Sequence, residues 1–349
     1  MTSVDELPPD LAAEARWDAF VDGRADAGLY HRSVFRRLIL DATGHAPQLL
    51  RATRGGALVG VLSLVHMRSA LFGNAFYGLP YFNHGGVAAA DDEATHALLD
   101  AAVDRARWLG ASHIELRHLG PRPVVTAHGW AEKTHKVEMM LDLPDTPAAL
   151  WQAFKPKLRA QIRRPRKAGL YARVGGLELL EAFHEVFARN MRDLGTPVYG
   201  LGFFDAFLRH LHDRARVCVV YRGGLPVGAG IVASDRGVLE IPWASTVREA
   251  NVDSPNMLLY WTLLEHAVET GHHRFDFGRS TPGEGTFDFK RQWGAVPVPL
   301  HWHYWLRDGG PLPELNPGNP RYALAIRAWQ NLPLPVTRWL GPRIVKHLP

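Results

Sequence analysis

The segment LLRATRGGALVGVLSLV at Leu49–Val65 occurs twice in the chain, and this repetition is the strongest indication of the fold. The second copy, VCVVYRGGLPVGAGIVA, occupies Val217–Ala233, with the Arg-Gly-Gly triplet at the same point. In each copy two apolar runs flank a pair of glycines, and paired glycines supply the positive φ that tight hairpin turns need. Each copy therefore predicts a β-hairpin.

A second shared pattern follows each hairpin. The segments from His96 to Gly110 and from Asn256 to Gly271 have the spacing of amphipathic helices that stop at a glycine. A short apolar strand comes next in both, HIELR at His113 and RFDF at Arg274. Because order and spacing agree, the sequence predicts an α/β fold of two like domains, each a mixed sheet with packed helices.

Length and composition agree with two domains. The chain has 349 residues, and a domain takes roughly 150. With 46% hydrophobic residues, wholesale disorder is excluded. We predict a first domain at 1–145, a second at 146–310 and a basic strap at 311–349. The single cysteine, Cys218, excludes an intramolecular disulfide and is expected to be buried in a strand.

The sequence carries two basic segments. Residues 155–167 hold seven cations and no acid, and all charged residues after Glu314 are basic. The first segment predicts a short helix with an apolar stripe from Trp151 to Ile162, Pro156 in its first turn and its end at Pro165. We interpret Arg159, Arg163 and Arg164 as a phosphate clamp, because arginine forks match phosphate oxygens. A solvated basic face is the alternative.

The stretch FDFGRSTPGEGTFDFKRQWGA, from Phe275 to Ala295, has the residues of a functional site. A strand, Phe275 to Gly278, runs into a loop of glycines and hydroxyls, which is a common place for ligand-binding groups. After the loop, Phe289 and Trp293 flank one interior cation, Lys290. A lysine among aromatic rings is either a surface residue with a buried stem or a poised charge.

The block from Asp276 to Gly294 resembles the closing signature of the FemAB-like aminoacyl transferases, in the branch associated with PEP-CTERM/exosortase and exopolysaccharide genes. The resemblance continues through KLRAQIRRPRKAGL at Lys157–Leu170, FARNMRDLGTPVYG at Phe187–Gly200 and the tail. In the N-terminal half it rests mainly on YFNHGGV at Tyr81–Val87, which contains His84. The long coiled-coil insertion of the peptidoglycan-bridge members is absent.

This resemblance implies two tandem GNAT-like acyl-CoA N-acyltransferase modules. It implies that Phe289 and Lys290 act at the acceptor and donor ester, with Lys290 stabilising the transition state. Amide formation needs an unprotonated amine, alignment and a stabilised oxyanion. Asp276 is our candidate for accepting the amine proton, although a structural acceptor is equally expected there. The predicted substrate-binding residues are Arg279, Ser280, Trp293, Arg159, Arg163, Arg164 and His84.

The resemblance implies an acyl or aminoacyl transferase that forms an amide or ester on a cell-envelope, peptidoglycan-type or exopolysaccharide precursor. The donor is left open between aminoacyl-tRNA and acyl-CoA, and no tightly bound cofactor or metal is expected. A CoA-dependent GNAT N-acetyltransferase and a non-catalytic binding module at the membrane surface are the alternatives. No signal peptide or apolar span is apparent. We therefore expect a cytoplasmic protein. Three points are left open: contact with tRNA, peripheral attachment to the inner face of the membrane through the basic C-terminal tail, and the oligomeric state.

Three other motifs are weaker indications of function. GAGIVA at Gly228–Ala233 has the spacing of a dinucleotide fingerprint, but we place it inside a hairpin strand with no helix after it. His301 and His303 share a strand face, yet the sequence offers no third metal ligand at a sensible spacing. The segment Arg248–Asn256 joins a strand to a helix, where backbone amides could bind phosphate.

Overall fold

The computed structural model describes residues 1–70, 72–313 and 320–349, with side chains described outside 320–322. The chain folds into two compact units. Unit 1 comprises Met1–Glu138, the described part of Val298–Glu314, and His347–Pro349. Unit 2 comprises Met139–Pro297 and the described part of Leu315–Lys346. The domain boundaries predicted from the sequence stay a prediction.

Unit 1 is a mixed sheet with helices packed on it. Its helices are α1 (Leu11–Asp22), α2 (Phe35–Thr43), α3 (Asp92–Trp108) and α4 (Pro123–Ala127). Its strands are β1 (Ser3–Glu6), β2 (Pro47–Arg54), β3 (Ala57–Ser69), β4 (Gly73–Tyr77), β5 (Ala88–Ala89), β6 (His113–Leu119), β7 (Ala131–Lys133) and most of β14 (Val296–Leu306). Neighbouring strands follow the order β1-β2-β3-β4-β6-β14, with β5 beside β3 and β7 beside β14. Strand β8 (Val137–Asp142) leads from unit 1 into unit 2.

Unit 2 repeats this plan. Its strands are β9 (Leu170–Gly175), β10 (Ala215–Arg222), β11 (Leu225–Asp235), β12 (Val238–Thr246) and β13 (Arg274–Ser280), in the order β13-β12-β11-β10-β9. Its helices are α5 (Pro147–Ala153), α6 (Pro156–Lys167), α7 (Leu180–Leu194), α8 (Leu201–Leu211), α9 (Pro255–Glu269), α10 (Gly285–Arg291), α11 (Pro320–Gln330) and α12 (Leu334–Val345). Helix α7 packs on β11 and β12, while α9 packs on β9, β10 and β11.

The predicted hairpins are confirmed, and they agree in detail. Strands β2 and β3 pair antiparallel, as do β10 and β11. Their glycine pairs have φ of +57° and +84° at Gly55 and Gly56, and +56° and +82° at Gly223 and Gly224. Each ladder also shifts register two residues before its turn arginine, at Ala52/Thr53 and Val220/Tyr221. A shared bulge is stronger support for internal duplication than shared letters, because it is a backbone feature.

The helix and strand that follow the hairpins match as well. Helices α3 and α9 are each followed by a glycine of positive φ, Gly110 at +69° and Gly271 at +78°. The next strand then joins its sheet in parallel, β6 beside β4 and β13 beside β12. The predicted mixed α/β fold in two like halves is confirmed. Cys218 is buried in β10 as expected, and burial raises the pKa of its thiol to about 12.

The helix predicted in the first basic segment is present as α6, and Pro156 lies in its first turn as expected. Two details of the prediction were wrong. The apolar stripe does not lie on one helix, because Trp151 belongs to α5 and Phe154 lies between α5 and α6. Helix α6 also continues past Pro165 to Lys167. Proline removes one N–H donor, but its fixed φ suits a helix, and here it lies in the last turn, where Ala168 N–H closes on the Arg164 carbonyl.

The predicted basic strap, residues 311–349, lies partly outside the described residues. Its described part is helical rather than extended, since it forms α11 and α12, and both pack on α7. Among the described residues no helix has both the length and the apolar character to cross a bilayer.

The duplicated turns allow a paired prediction. Gly55→Ala and Gly223→Ala should each lower the free energy of unfolding by about 1–2 kcal/mol, because a Cβ disfavours positive φ. Neither Cβ would meet a neighbour within 4 Å, so the effect reports backbone strain alone. Urea unfolding of both variants checks this. Unequal losses would contradict the equivalence of the two turns.

Candidate active site

In unit 2 the two parallel strands separate soon after they meet. Strands β12 and β13 pair from Val238↔Arg274 to Glu240↔Asp276, and both strands then continue beyond the described pairing. At the same point β12 contains a bulge, with Ile241 and Pro242 opposite one residue of β11. A bulge bends its strand, and proline cannot donate to a ladder. The described pairing of the two strands ends here, and we infer that their C-terminal ends diverge and leave a cleft between them.

Lys290 holds the backbone at this cleft. Its side chain is only 8% exposed, and Nζ donates to the carbonyls of Gly278 and Arg279, each at 2.9 Å. Successive carbonyls of a regular strand point to opposite sides, so one ammonium cannot bind both. Gly278 has φ of +76°, which breaks the regular strand and lets the two carbonyls converge. Lys290 and Gly278 thus form one structural device.

Aromatic side chains pack together around helix α10, which carries Lys290. The Phe289 ring lies 5.0 Å from that of Tyr260, which stacks on Phe277 at 5.5 Å. Trp293 is buried and meets Phe154 edge to face at 5.6 Å. Burial raises the pKa of Tyr260, so its phenol stays neutral at physiological pH. Phe289 and Trp293, which the sequence places on either side of Lys290, thus belong to one packed aromatic cluster, with ring centroids 6.3 Å apart.

Two buried acidic residues are backbone partners where the described pairing of β12 and β13 ends. Asp276 and Glu240 are register partners and are 2% and 7% exposed. Asp276 Oδ1 accepts a hydrogen bond of 2.7 Å from Gly278 N–H, so this aspartate also shapes the turn that Lys290 holds. A carboxylate in such a position can accept a proton from a bound amine.

Other polar groups at this corner have no partner within the described part of the chain. Ser280 is 4% exposed, and its Oγ makes no hydrogen bond. The indole Nε1 of Trp293 is also buried and makes no hydrogen bond. Buried polar atoms are nearly always paired, so an unpaired one points to a water or a ligand. Arg279, which directly precedes Ser280, is exposed.

The predicted arginine clamp lies on α6, and its members have different contacts. Arg164 donates to the carbonyl of Val252 at 2.7 Å, in the short 3-10 helix that precedes α9. Arg163 covers the Trp151 ring at 5.0 Å, and Arg159 is half-exposed. Helices α6 and α9 pack together. One arginine therefore reaches the loop before the N-terminus of α9, where free amides favour anions.

His84, the remaining predicted residue, belongs to unit 1. Its Nε2 lies 3.6 Å from Glu138 Oε2, and Glu138 Oε1 accepts from Asn83 at 3.0 Å. The structure therefore groups Asp276, Arg279, Ser280, Phe289, Lys290 and Trp293 at one corner of unit 2. The arginines lie on a neighbouring helix of the same unit.

Unit 1 also contains a chain of histidines that the sequence only hinted at. His118 Nδ1 lies 3.0 Å from His303 Nδ1, and His118 Nε2 accepts from Val87 N–H. Glu132 lies 2.6 Å from His301 and 3.4 Å from His303. The two histidines of β14 therefore share a carboxylate. Burial holds the pKa of His118 well below its usual value, and burial also lowers that of His303.

These histidines predict that acid destabilises unit 1. Burial, together with the neighbouring His84, lowers the pKa of His31 to about 4. The unfolded chain binds these protons below its ordinary pKa near 6.5, whereas the folded chain does not. Stability is thus fully present above that value and is lost as pH falls toward 4. Calorimetry across this range should show the fall; His118→Gln should reduce its slope, and exposed His273→Gln should not.

Several residues near the Gly278 turn of unit 2 were not predicted from the sequence. Glu240 and Tyr260 had no motif, although a glutamate in an otherwise apolar strand was a usable signal. The turn at Gly278 had no such sequence signal, since a glycine at the end of a strand is common. Its role depends on Lys290, twelve residues away.

Comparisons with known proteins agree with this geometry. Residues 153–291 match the family model described as acetyltransferase (GNAT) domain, and this range contains β12, β13 and Lys290. No curated protein matches the sequence. Among solved structures, FemX has a TM-score of 0.67 at 16% identity, covering 90% of this chain and 98% of that chain.

Two other structures extend the likeness. A tandem GNAT protein from the clavulanic acid biosynthesis pathway, solved without AcCoA, has a TM-score of 0.62 at 14% identity, covering 90% of this chain and 100% of its own. The C-terminal domain of a putative lysylphosphatidylglycerol synthetase from Agrobacterium fabrum gives 0.57 at 14%, covering 83% and 90%. With the duplicated hairpin, helix and strand, these likenesses show that the fold is that of two GNAT-type modules in tandem, with a GNAT acetyltransferase domain matched over residues 153–291.

Proposed function

We propose that the protein is an acyltransferase whose reaction takes place in the cleft of unit 2. The observation that carries this proposal is the coincidence of three features at the end of β13. They are the separation of β12 and β13, the Lys290-held turn at Gly278, and the buried unpaired Ser280 Oγ. A cleft between separated strands lined with unpaired polar atoms is suited to bind a substrate's polar groups.

The chemistry requires little from the protein beyond placement. An amine attacks an activated acyl carbon, the acyl–donor bond breaks, and the amine proton must leave. Asp276 and Glu240 are the carboxyl groups at the cleft that can take this proton. The Lys290 ammonium supplies positive charge beside the turn, and we propose that it stabilises the oxyanion, directly or through the amides whose carbonyls it holds.

We propose acyl-CoA as the first candidate donor. The match to a GNAT acetyltransferase domain supports it, and so does the N-terminus of α9, with Arg164 against the preceding loop. The phosphates of CoA suit such amides and guanidinium groups. Aminoacyl-tRNA is the second candidate, supported by the seven cations of residues 155–167 and the likeness to FemX.

The acceptor we propose is a cell-envelope or exopolysaccharide precursor bearing an amine or hydroxyl. The FemAB-like signature at Asp276–Gly294 supports this class. An association with PEP-CTERM/exosortase systems rests on the same resemblance and stays a prediction. So does the rival proposal, a non-catalytic binding module.

Thermal unfolding in the presence of candidate donors tests the proposal. A donor that binds the folded chain should raise the melting temperature in proportion to RT ln(1 + [L]/Kd). Acetyl-CoA, CoA and aminoacyl-tRNA should be compared, with transfer to soluble wall-precursor amines assayed in parallel. Arg164→Ala should reduce the rise in melting temperature that the bound donor causes. Arg209→Ala is the control and should not reduce it, since Arg209 is an exposed arginine of α8 paired with Asp205.

Binding without transfer to any amine or hydroxyl acceptor would favour the non-catalytic module. No stabilisation by any of the three donors, together with no transfer, would overturn the assignment of this cleft.

A further inference from the structure

Helices α11 and α12 are attached to unit 2 by one side each. Both pack on α7. In α12 the buried residues are Thr337, Gly341 and Val345, which recur every four positions and form one stripe. A Cβ at Gly341 would lie 2.8 Å from Val198, so this side is in close contact with the unit. The opposite side of α12 therefore points away from unit 2.

That outward side is apolar and aromatic at its centre. Val336, Trp339 and Arg343 recur at helical spacing on it, and Trp339 is 62% exposed. On α11, Leu324 is 78% exposed and Arg327 is also exposed, while Trp329 is buried toward the unit. We call Leu324, Arg327, Val336, Trp339 and Arg343 the outer face.

The charge of this region has one sign. From residue 320 to the end of the chain there is no acidic residue, and five cations are present. Within the described residues, neither Arg327 nor Arg343 forms an ion pair. The Arg343 guanidinium instead covers the Trp339 ring at 4.2 Å. Its charge is therefore held beside an exposed indole, with no carboxylate to neutralise it.

Each of these features suits the boundary between lipid headgroups and acyl chains. Tryptophan concentrates at that boundary because its ring is apolar and its N–H is polar. Arginines at the rim meet the negative potential of anionic lipids. Exposed leucine and valine gain free energy by entering the acyl region, whereas the charged phosphate backbone of a nucleic acid gives them no comparable gain.

We propose that the outer face binds the surface of an anionic lipid bilayer and holds unit 2 peripherally against it. The helices lie in the plane of the interface rather than crossing it. This inference does not depend on the proposed reaction in the cleft, since it rests on different residues and a different part of unit 2.

Sedimentation of the full chain with lipid vesicles tests this proposal. Vesicles of phosphatidylcholine alone should bind weakly, and vesicles with roughly a third phosphatidylglycerol should bind strongly. Arg327→Gln and Arg343→Gln should each weaken the latter about fivefold. Trp339→Ser should weaken binding to both kinds of vesicle, and added salt should weaken only the charge-dependent part.

Matched controls lie elsewhere on the chain. Trp108→Ser removes a tryptophan that is 83% exposed on α3 of unit 1, and Arg16→Gln removes an exposed arginine of α1. Both should bind vesicles like the unaltered chain. Far-ultraviolet circular dichroism and melting temperature establish that each variant is folded, since the outer-face side chains point away from the packed stripe.

Two results would overturn the proposal. One is equal sedimentation of the unaltered chain and all three outer-face variants. The other is a loss of RNA binding in those variants with vesicle binding unchanged, which would assign the face to a nucleic acid. Activity toward a soluble acceptor should be the same in Trp339→Ser and the unaltered chain, so failure here and failure of the proposed reaction are distinguishable.

Discussion

Replacing Lys290 with methionine is expected to lower turnover about 10²- to 10³-fold and to reduce the free energy of unfolding by about 2–4 kcal/mol. Both effects have one source. The ammonium is buried and donates to Gly278 and Arg279 carbonyls, and methionine of similar length leaves both acceptors without a donor. Relief of the buried charge offsets part of this loss. Single-turnover transfer assays and urea unfolding measure the two effects separately.

Companion variants separate chemistry from stability. Lys290→Arg keeps the charge and should retain much of the stability, while its bulkier head displaces the turn and lowers the rate. Arg291→Met changes the adjacent exposed cation and should leave both quantities unchanged. Undiminished turnover in Lys290→Met would remove this lysine from the mechanism, and diminished stability alone would leave it a positioning residue.

Gly78→Ala should be the most damaging substitution in unit 1, with a loss of about 3–5 kcal/mol in the free energy of unfolding. A Cβ at Gly78 would lie 1.9 Å from the carbonyl oxygen of Gly85, which is backbone and cannot rotate away. The Gly78 N–H also bonds to the Glu115 carbonyl, so moving the strand would break the link to β6. Chemical unfolding followed by circular dichroism measures the loss.

The matched control is Gly202→Ala, on α8 of unit 2. A Cβ there would meet nothing within 4 Å, and alanine suits a helix better than glycine. This variant should be as stable as the unaltered chain or slightly more stable. A Gly78→Ala protein of normal stability would show that the loop at Gly85 can move, contrary to the contact described.

The separation of β12 from β13 and the turn at Gly278 lie next to each other. This explains why several residues of the candidate site fall within the short segment Asp276–Gly294. Asp276, Gly278 and Lys290 all act on the same few atoms of backbone, because the carboxylate takes the Gly278 N–H and the ammonium takes its carbonyl. The N–H and the carbonyl of Gly278 are thus each hydrogen-bonded to a buried side chain. The chain's own hydrogen bonds therefore position this turn, and groups positioned in advance favour catalysis.

Much of the architecture was predictable from the sequence, because it depends on local rules. The glycine pairs at Gly55 and Gly223 require tight turns, and apolar spacing before Gly110 and Gly271 defines α3 and α9. Repetition of these local signals predicted two like α/β halves. The sequence also marked Phe289, Lys290 and Trp293 as a group, since they are close in the chain.

The contacts of those side chains, by contrast, could not be predicted from the sequence. The partners of Lys290 are main-chain carbonyls, which carry no letter in the sequence, and Glu240 meets Asp276 only through the register of two parallel strands. The outer face of α12 likewise exists because α7 takes the other side. Local propensity sets turns and helices over a few residues, but contacts between distant segments depend on how the whole chain packs.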